Sequence, residues 1–188
     1  LILHHEHLRM INAFHIIVNL NIGGAELMLK RLLLECSGDD NYKQTVLTLK
    51  GPGLIEDDLR AKGVDVINLN MRSFKSSLGG MYKLIRLMRI KKPDAVFTWM
   101  YHADLIGGVA AYLAGMKNII WCIRNTQIPQ RVYSVTWFVM KLCSILSFVI
   151  PRVITCCAYS AKSSHAQLGY CSKKMMVIPN GYDLTAFN

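Results

Sequence analysis

The sequence lacks the short signatures of a metal or disulfide framework. Its six cysteines (Cys36, Cys122, Cys143, Cys156, Cys157 and Cys171) form no CxxC pair and stand in no His/Cys ligand spacing. Most lie inside apolar runs, which predicts reduced, buried thiols in a cytosolic protein and no metal site. Acidic residues are scarce, 12 Asp and Glu against 22 Lys and Arg, so the formal net charge is +10. Such a surplus attracts anionic substrates, nucleic acid or an anionic membrane surface. No helix-turn-helix, zinc-finger or RNP-type signature accompanies the basic residues, which sets nucleic acid aside. Internal repeats and low-complexity segments are absent as well. The longest apolar run, Tyr133 to Ile150, contains Lys141 and closes at Pro151. A membrane span needs about 20 uninterrupted residues, so the run predicts a buried helix instead. Residues 1–9 (Leu-Ile-Leu-His-His-Glu-His-Leu-Arg) have no apolar core of a signal peptide and read as a leader outside the fold.

Two nucleotide signatures are missing too. A dinucleotide site needs G-x-G-x-x-G after the first strand and an acidic residue at the end of the second. Here the first turn reads Asn21-Ile-Gly-Gly-Ala-Glu26 and the second strand ends Leu49-Lys50-Gly51. Hydride chemistry on NAD is disfavoured. Without a Gly-Lys-Ser/Thr loop, P-loop hydrolysis is removed as well.

What is present is a regular alternation. At 188 residues, 52% apolar and 18% charged, the chain is long enough for one sizeable domain with a real core. Phe14–Leu20 reads as a buried strand, and helix formers run from Glu26 to Glu35. Further strands are predicted at Gln44–Leu49, Val64–Leu69, Asp94–Trp99, Asn118–Ile123, Arg152–Cys157 and Lys174–Pro179. Helices are predicted between them, at Leu54–Lys62, from Ser76 or Ser77 to Lys91, up to Ala114, in the long apolar run, and at Ser160–Leu168. Lys83, Arg86 and Arg89 recur along one side of the third helix, with Met81, Leu84, Ile85 and Met88 on another. Strict alternation predicts an α/β fold, a doubly wound and mostly parallel sheet of about seven strands with helices on both faces.

In such a sheet, ligands bind beyond the carboxyl ends of the strands. Gly23-Gly24 is the strand-to-helix turn, where the lack of Cβ atoms allows unusual φ values and close approach, and the helix start offers N–H groups to a phosphate. Glu26 lies in the same loop. After the fourth strand come Tyr101, His102 and Asp104; after the fifth, Arg124 and Asn125; after the sixth, Ser160. Arg124 can fork onto a phosphate, Asn125 and Ser160 can donate to sugar or phosphate oxygens, and His102 can donate or accept near neutral pH. Each also has a structural reading: His102 as a satisfied structural side chain, Asp104 as the charge at its helix start, Ser160 as an N-cap.

In order, Ile22-Gly-Gly-Ala-Glu26, the segment Thr98-Trp-Met-Tyr-His-Ala-Asp-Leu-Ile-Gly107 behind Pro93-Asp94, Trp121-Cys-Ile-Arg-Asn125 and Val177-Ile-Pro-Asn-Gly-Tyr-Asp183 resemble signatures of one family. It is the amino-terminal, Rossmann-like half of the GT-B-fold, retaining glycosyltransferases of family 4. Relatives commonly show Ser-Glu-Ser where this chain has Ala158-Tyr-Ser160, so Ser160 matches and Tyr159 does not. The resemblance implies an amino-terminal acceptor-side domain over residues 10–183, an interdomain linker starting at 184–188, and a carboxy-terminal donor-binding domain not included here. The chain would then be inactive alone. It further implies a nucleotide-sugar donor, a sugar or lipid-linked acceptor, and transfer without metal or cofactor. Cell-surface polysaccharide or glycolipid synthesis at the inner face of a membrane would be the setting. In the site, His102 would reach the donor sugar, Gly23, Gly24 and Arg124 the diphosphate, and Glu26, Tyr101, Asp104, Asn125, Ser160 and Asn180 the substrates. Two other readings remain: a non-catalytic sugar- or nucleotide-binding domain, and half of a nucleotide-sugar epimerase.

Overall fold

The computed structural model describes residues 10–126, 128 and 134–181. The leader at 1–9 and the linker expected at 184–188 lie outside the described residues. Seven strands alternate with helices: β1 (Ile11–Ile17), α1 (Gly24–Glu35), β2 (Tyr42–Thr48), α2 (Glu56–Ala61), β3 (Asp65–Asn68), α3 (Phe74–Lys91) and β4 (Ala95–Trp99) come first. Then follow α4 (Tyr101–Leu113), β5 (Ile119–Ile123), α5 (Val135–Leu146), β6 (Val153–Cys156), α6 (Tyr159–Leu168) and β7 (Met175–Val177). All six strand pairings are parallel, in the order β3-β2-β1-β4-β5-β6-β7. Strand order reverses between β1 and β4. Their carboxyl ends therefore flank the crevice where a doubly wound sheet takes its ligand.

β1 is buried on both faces. Phe14 and Ile16 join Leu84, Met88, Val96, Trp121 and Met140 in one core, whereas Ile17 joins Leu29, Leu33, Val46 and Leu59 in a second. A central parallel strand with two covered faces reads as a continuous apolar run, which is why it is visible in the sequence. Its limits are less so. The strand spans Ile11–Ile17, not Phe14–Leu20: Ile11 to Ala13 pair with Tyr42 to Gln44, while Leu20 is buried beyond the ladder, its carbonyl accepting from Ile55 N at 3.0 Å.

Two further expectations are corrected. The N-cap of α3 is Ser73, not Ser76 or Ser77; the Ser73 hydroxyl accepts from Ser76 N and the Ser76 hydroxyl from Ser73 N, a closed capping box. The long apolar run does not make a buried helix. Only Met140, Cys143 and Ser144 of α5 are buried, and Val135, Phe138, Leu142 and Ile145 are exposed. Among the described residues no helix is long and apolar enough to cross a membrane. On α3 the expected division holds: Leu84 and Met88 are fully buried, and Lys83, Arg86 and Arg89 face out.

Candidate active site

The turn after β1 delivers Gly24 as the first residue of α1, with Gly23 as N-cap. Gly23 is extended (φ −161°, ψ 169°), a conformation open to any residue, so the expected unusual φ is not what requires glycine here. Nor does space demand it, since the only group in the way is the movable end of a side chain. A Cβ on Gly23 would collide with the carboxylate of Glu26, which folds back over the helix start, and nothing lies within 4 Å of a Cβ on Gly24. The helix start is thus open to solvent at Gly24, where the N–H groups of the first turn lack intrahelical acceptors.

Across the crevice, β4 turns sharply into α4 at Met100, a non-glycine residue at φ 70°. Side chains rarely adopt that conformation, and it costs on the order of 1–3 kcal/mol, a strain that clusters at ligand sites. The turn is held by Met100 N donating to Cys122 O (3.2 Å) and by Met100 Sδ accepting from Arg124 N (3.4 Å). It puts His102 in the first turn of α4, half-buried, on a cavity of about 130 Å³ walled by Val18, Leu49, Met71 and Ile106, with Lys50 and Ser77 as its other polar neighbours. Burial, and then the Lys50 charge, lower the His102 pKa from its usual 6.5. Near neutral pH the ring is uncharged, with one nitrogen donating and the other accepting.

Tyr101 and Asp104 turn the other way, which corrects their expected place among the substrate-binding residues. Tyr101 is 3% exposed and its hydroxyl pairs with His165 Nε2 at 2.9 Å. Asp104 is fully buried, accepting from Thr98 Oγ1 at 2.5 Å. On a helix packed against a sheet, residues at positions 101 and 104 share the inward face while 102 points away.

Arg124 lies part-way into a second, larger cavity of about 640 Å³, bounded by Met28, Arg31, Trp99, Ile178, Pro179 and Gly181. Its guanidinium is largely engaged: Nη1 donates to Ile178 O (3.0 Å) and Asn180 Oδ1 (3.4 Å), Nη2 to Thr155 Oγ1 (3.4 Å), and the group lies 5.4 Å from the centre of the Trp99 ring. Arg124 and Asn180 are thereby brought together, and Arg124 braces the segment after β7 as much as it faces the cavity. Asn125 is half-buried just past β5. Ser160 is exposed in the first turn of α6 and is not its cap, a place taken by Ala158. The sequence reading missed Lys50, Met71, Ser77 and Met100. Only the run Lys50-Gly-Pro-Gly53 carried a signal: a Cβ on Gly53 would strike the Leu20 backbone, so that loop is pressed against the end of β1.

The profile of Glycosyltransferase Family 4 matches residues 22–186, a span that contains both glycines, His102, Arg124 and Asn180. The chain belongs to glycosyltransferase family 4. Solved structures share its fold. HepE of Anabaena, crystallised with UDP, superposes with a TM-score of 0.77 at 15% identity, over 94% of this chain and 46% of its own. The UDP-GlcNAc 2-epimerase of Methanocaldococcus jannaschii gives 0.64 at 12% identity, over 89% and 45%. MurG of Acinetobacter baumannii gives 0.59 at 15% identity, over 93% and 47%. Among curated protein sequences none matches the chain. The family 4 chain thus spans just under half the length of the structures it resembles, and its fold is the Rossmann-like half of a GT-B architecture.

Proposed function

We propose that this family 4 domain is the acceptor-side half of a retaining glycosyltransferase, which moves a sugar from a nucleotide-sugar donor to an acceptor hydroxyl without a metal. The observation that carries the reading is the juxtaposition at the β1/β4 switch point of an open helix start at Gly24 and a half-buried, uncharged His102. Breaking a glycosyl–phosphate bond builds positive charge on the sugar and negative charge on the diphosphate. Fixed N–H groups at Gly23 and Gly24 stabilise the leaving diphosphate, and the Arg124 cation adds to the field. His102 orients the sugar by hydrogen bonding. Glu26, folded over Gly23, is placed to accept from a sugar hydroxyl, and Asn125, Ser160 and Asn180 lie at neighbouring strand ends. Most donor contacts belong to a second domain, so the chain by itself transfers no sugar.

His102→Ala is the test, in a protein where this domain is joined to a donor-binding one. Turnover is expected to fall ten-fold or more with the fold intact, because a hydrogen bond made in the transition state contributes on the order of 2–4 kcal/mol. Near-normal turnover would return His102 to a structural role. The likeness to UDP-GlcNAc 2-epimerases supports a second reading, epimerisation of the donor. Product analysis separates them: an epimerised nucleotide sugar formed without acceptor would displace transfer.

The acceptor in this reading is sugar or lipid-linked, and the domain works at the inner face of a membrane, in polysaccharide or glycolipid synthesis. Exposed Phe138, Leu142 and Ile145 on α5 supply apolar contact, Trp137 sits beside them with the Lys141 ammonium 5.7 Å from its ring, and α3 presents Lys83, Arg86 and Arg89. Each cation near an anionic surface contributes about 1 kcal/mol, falling with salt. Co-sedimentation should therefore show reversible binding to anionic vesicles that weakens at high salt. Equal partitioning to neutral vesicles, or none to either, would remove the membrane from the reading.

A further inference from the structure

Beside His102 stands a cation, Lys50, that no anion joins among the described residues. Lys50 follows β2 directly, and its ammonium has no carboxylate or other hydrogen-bonding partner among the described residues. Arg72, from the loop after β3, donates from Nε to the carbonyl of that same Lys50 at 3.2 Å. At φ +127° Gly51 takes a backbone conformation that side chains rarely adopt, and it fixes the turn that carries Lys50. Glu56 is committed to Arg60 and Asn68, Asp58 to Lys30 and Asp104 to Thr98. Glu26 is folded over Gly23.

Size decides what kind of anion. The cavity shared by Lys50, Ser77 and His102 is about 130 Å³. Whole small-molecule sites run to roughly 300–1,000 Å³, so this one is the right scale for a single functional group and too small for a nucleotide. Its remaining walls are apolar (Val18, Leu49, Met71, Ile106), which strengthens any charge pairing formed inside.

We propose that this cavity is a subsite for a phosphate or carboxylate on the acceptor sugar, neutralised by Lys50 and held beside Ser77 and His102. The word acceptor rests on the transferase reading; the anion site itself does not. The subsite selects acceptors that are already charged, so the reaction that supplies them is a phosphorylation or an oxidation to a uronic acid. Lys50 already acts on His102, being second only to burial in lowering its pKa. An anion here would offset that effect and place the acceptor hydroxyl beside the imidazole.

The test is an amide-resonance titration of the chain with glucose 6-phosphate, glucuronate, glucose and inorganic phosphate. Both anionic sugars are expected to shift residues 50–53, Ser77 and His102, with glucose silent at equal concentration and inorganic phosphate binding several-fold more weakly than glucose 6-phosphate. Lys50→Met, at an exposed side chain, should weaken glucose 6-phosphate about ten-fold with unchanged spectral dispersion. Lys50→Met binding like the native chain, glucose shifting the same resonances, or inorganic phosphate binding as tightly as the sugar phosphate would each overturn the proposal. UDP displacing glucose 6-phosphate from these residues would also overturn it, by giving Lys50 to the donor's diphosphate, and would leave transfer standing. Anionic sugars bound here, with no transfer once the domain is joined to a donor-binding one, would remove the transferase reading and leave the subsite.

Discussion

Trp121→Ala is expected to lower folding stability by about 3–5 kcal/mol, the range for emptying a buried indole site. Trp121 is fully buried at the centre of β5, within the core that α3, α4 and α5 share. Its indole rests on Gly108 of α4, where a Cβ would come 2.7 Å from Nε1 and 3.3 Å from Cε2. Gly108→Ala should therefore destabilise the native chain, although alanine is favoured over glycine inside a helix by roughly 1 kcal/mol. In the Trp121→Ala background the indole is gone, leaving Ile150 Cγ2 at 3.3 Å to yield by a few tenths of an ångström, and the same Gly108→Ala change should cost much less or turn neutral. Denaturant unfolding of the four proteins reads this cycle. Additive effects would mean that the indole and the helix backbone do not press on one another.

The second large effect is a pH dependence written by Asp104. Burial pushes its carboxyl up from 3.8 to about 7, with the hydrogen bond from Thr98 pulling the other way. In the unfolded chain the proton leaves near 3.8; in the folded chain it stays to about 7. The stability attached to Asp104 is therefore complete below pH 4, declines between these values, and is gone above pH 7. Asp104→Asn keeps an acceptor for Thr98 and carries no charge. It is expected to match the native chain near pH 4 and to exceed it above pH 7 by a few kcal/mol, since each pKa unit corresponds to about 1.4 kcal/mol. Parallel stability curves for the two proteins from pH 4 to 8 would show that the carboxyl ionises in place at no cost. Because Asp104 and His102 share the first turn of α4, loosening there would also disturb the imidazole.

The strand-end residues show how far the sequence could be read. The positions of Gly23-Gly24 and His102 at the carboxyl edge of the sheet were legible because each follows a strand, and in a parallel sheet all strand carboxyl ends lie on one edge. Tyr101 and Asp104 obeyed the same rule and still turned inward, because helical periodicity about α4 put them on the face opposite His102. Lys50 was overlooked because nothing local marks a lysine whose neighbour in space is a histidine 52 positions later in the numbering. The outward apolar face of α5 was misread for a related reason. Composition measures how apolar a run is, and only packing shows how much of it finds a partner.

The sequence by itself determined the alternation of strands and helices, the parallel sheet that follows from it, the family, and which residues stand at the carboxyl edge of the sheet. These are consequences of backbone propensity, two-faced burial and right-handed crossovers, all recorded in short stretches of chain. Tertiary structure alone decided which polar side chains meet. Arg124 reaches Ile178 and Asn180, Tyr101 reaches His165, and Arg72 reaches the Lys50 carbonyl, because the order β3-β2-β1-β4-β5-β6-β7 sets distant loops side by side. A hydrogen bond is fixed by distances of a few tenths of an ångström, and those are set only once every strand has taken its register.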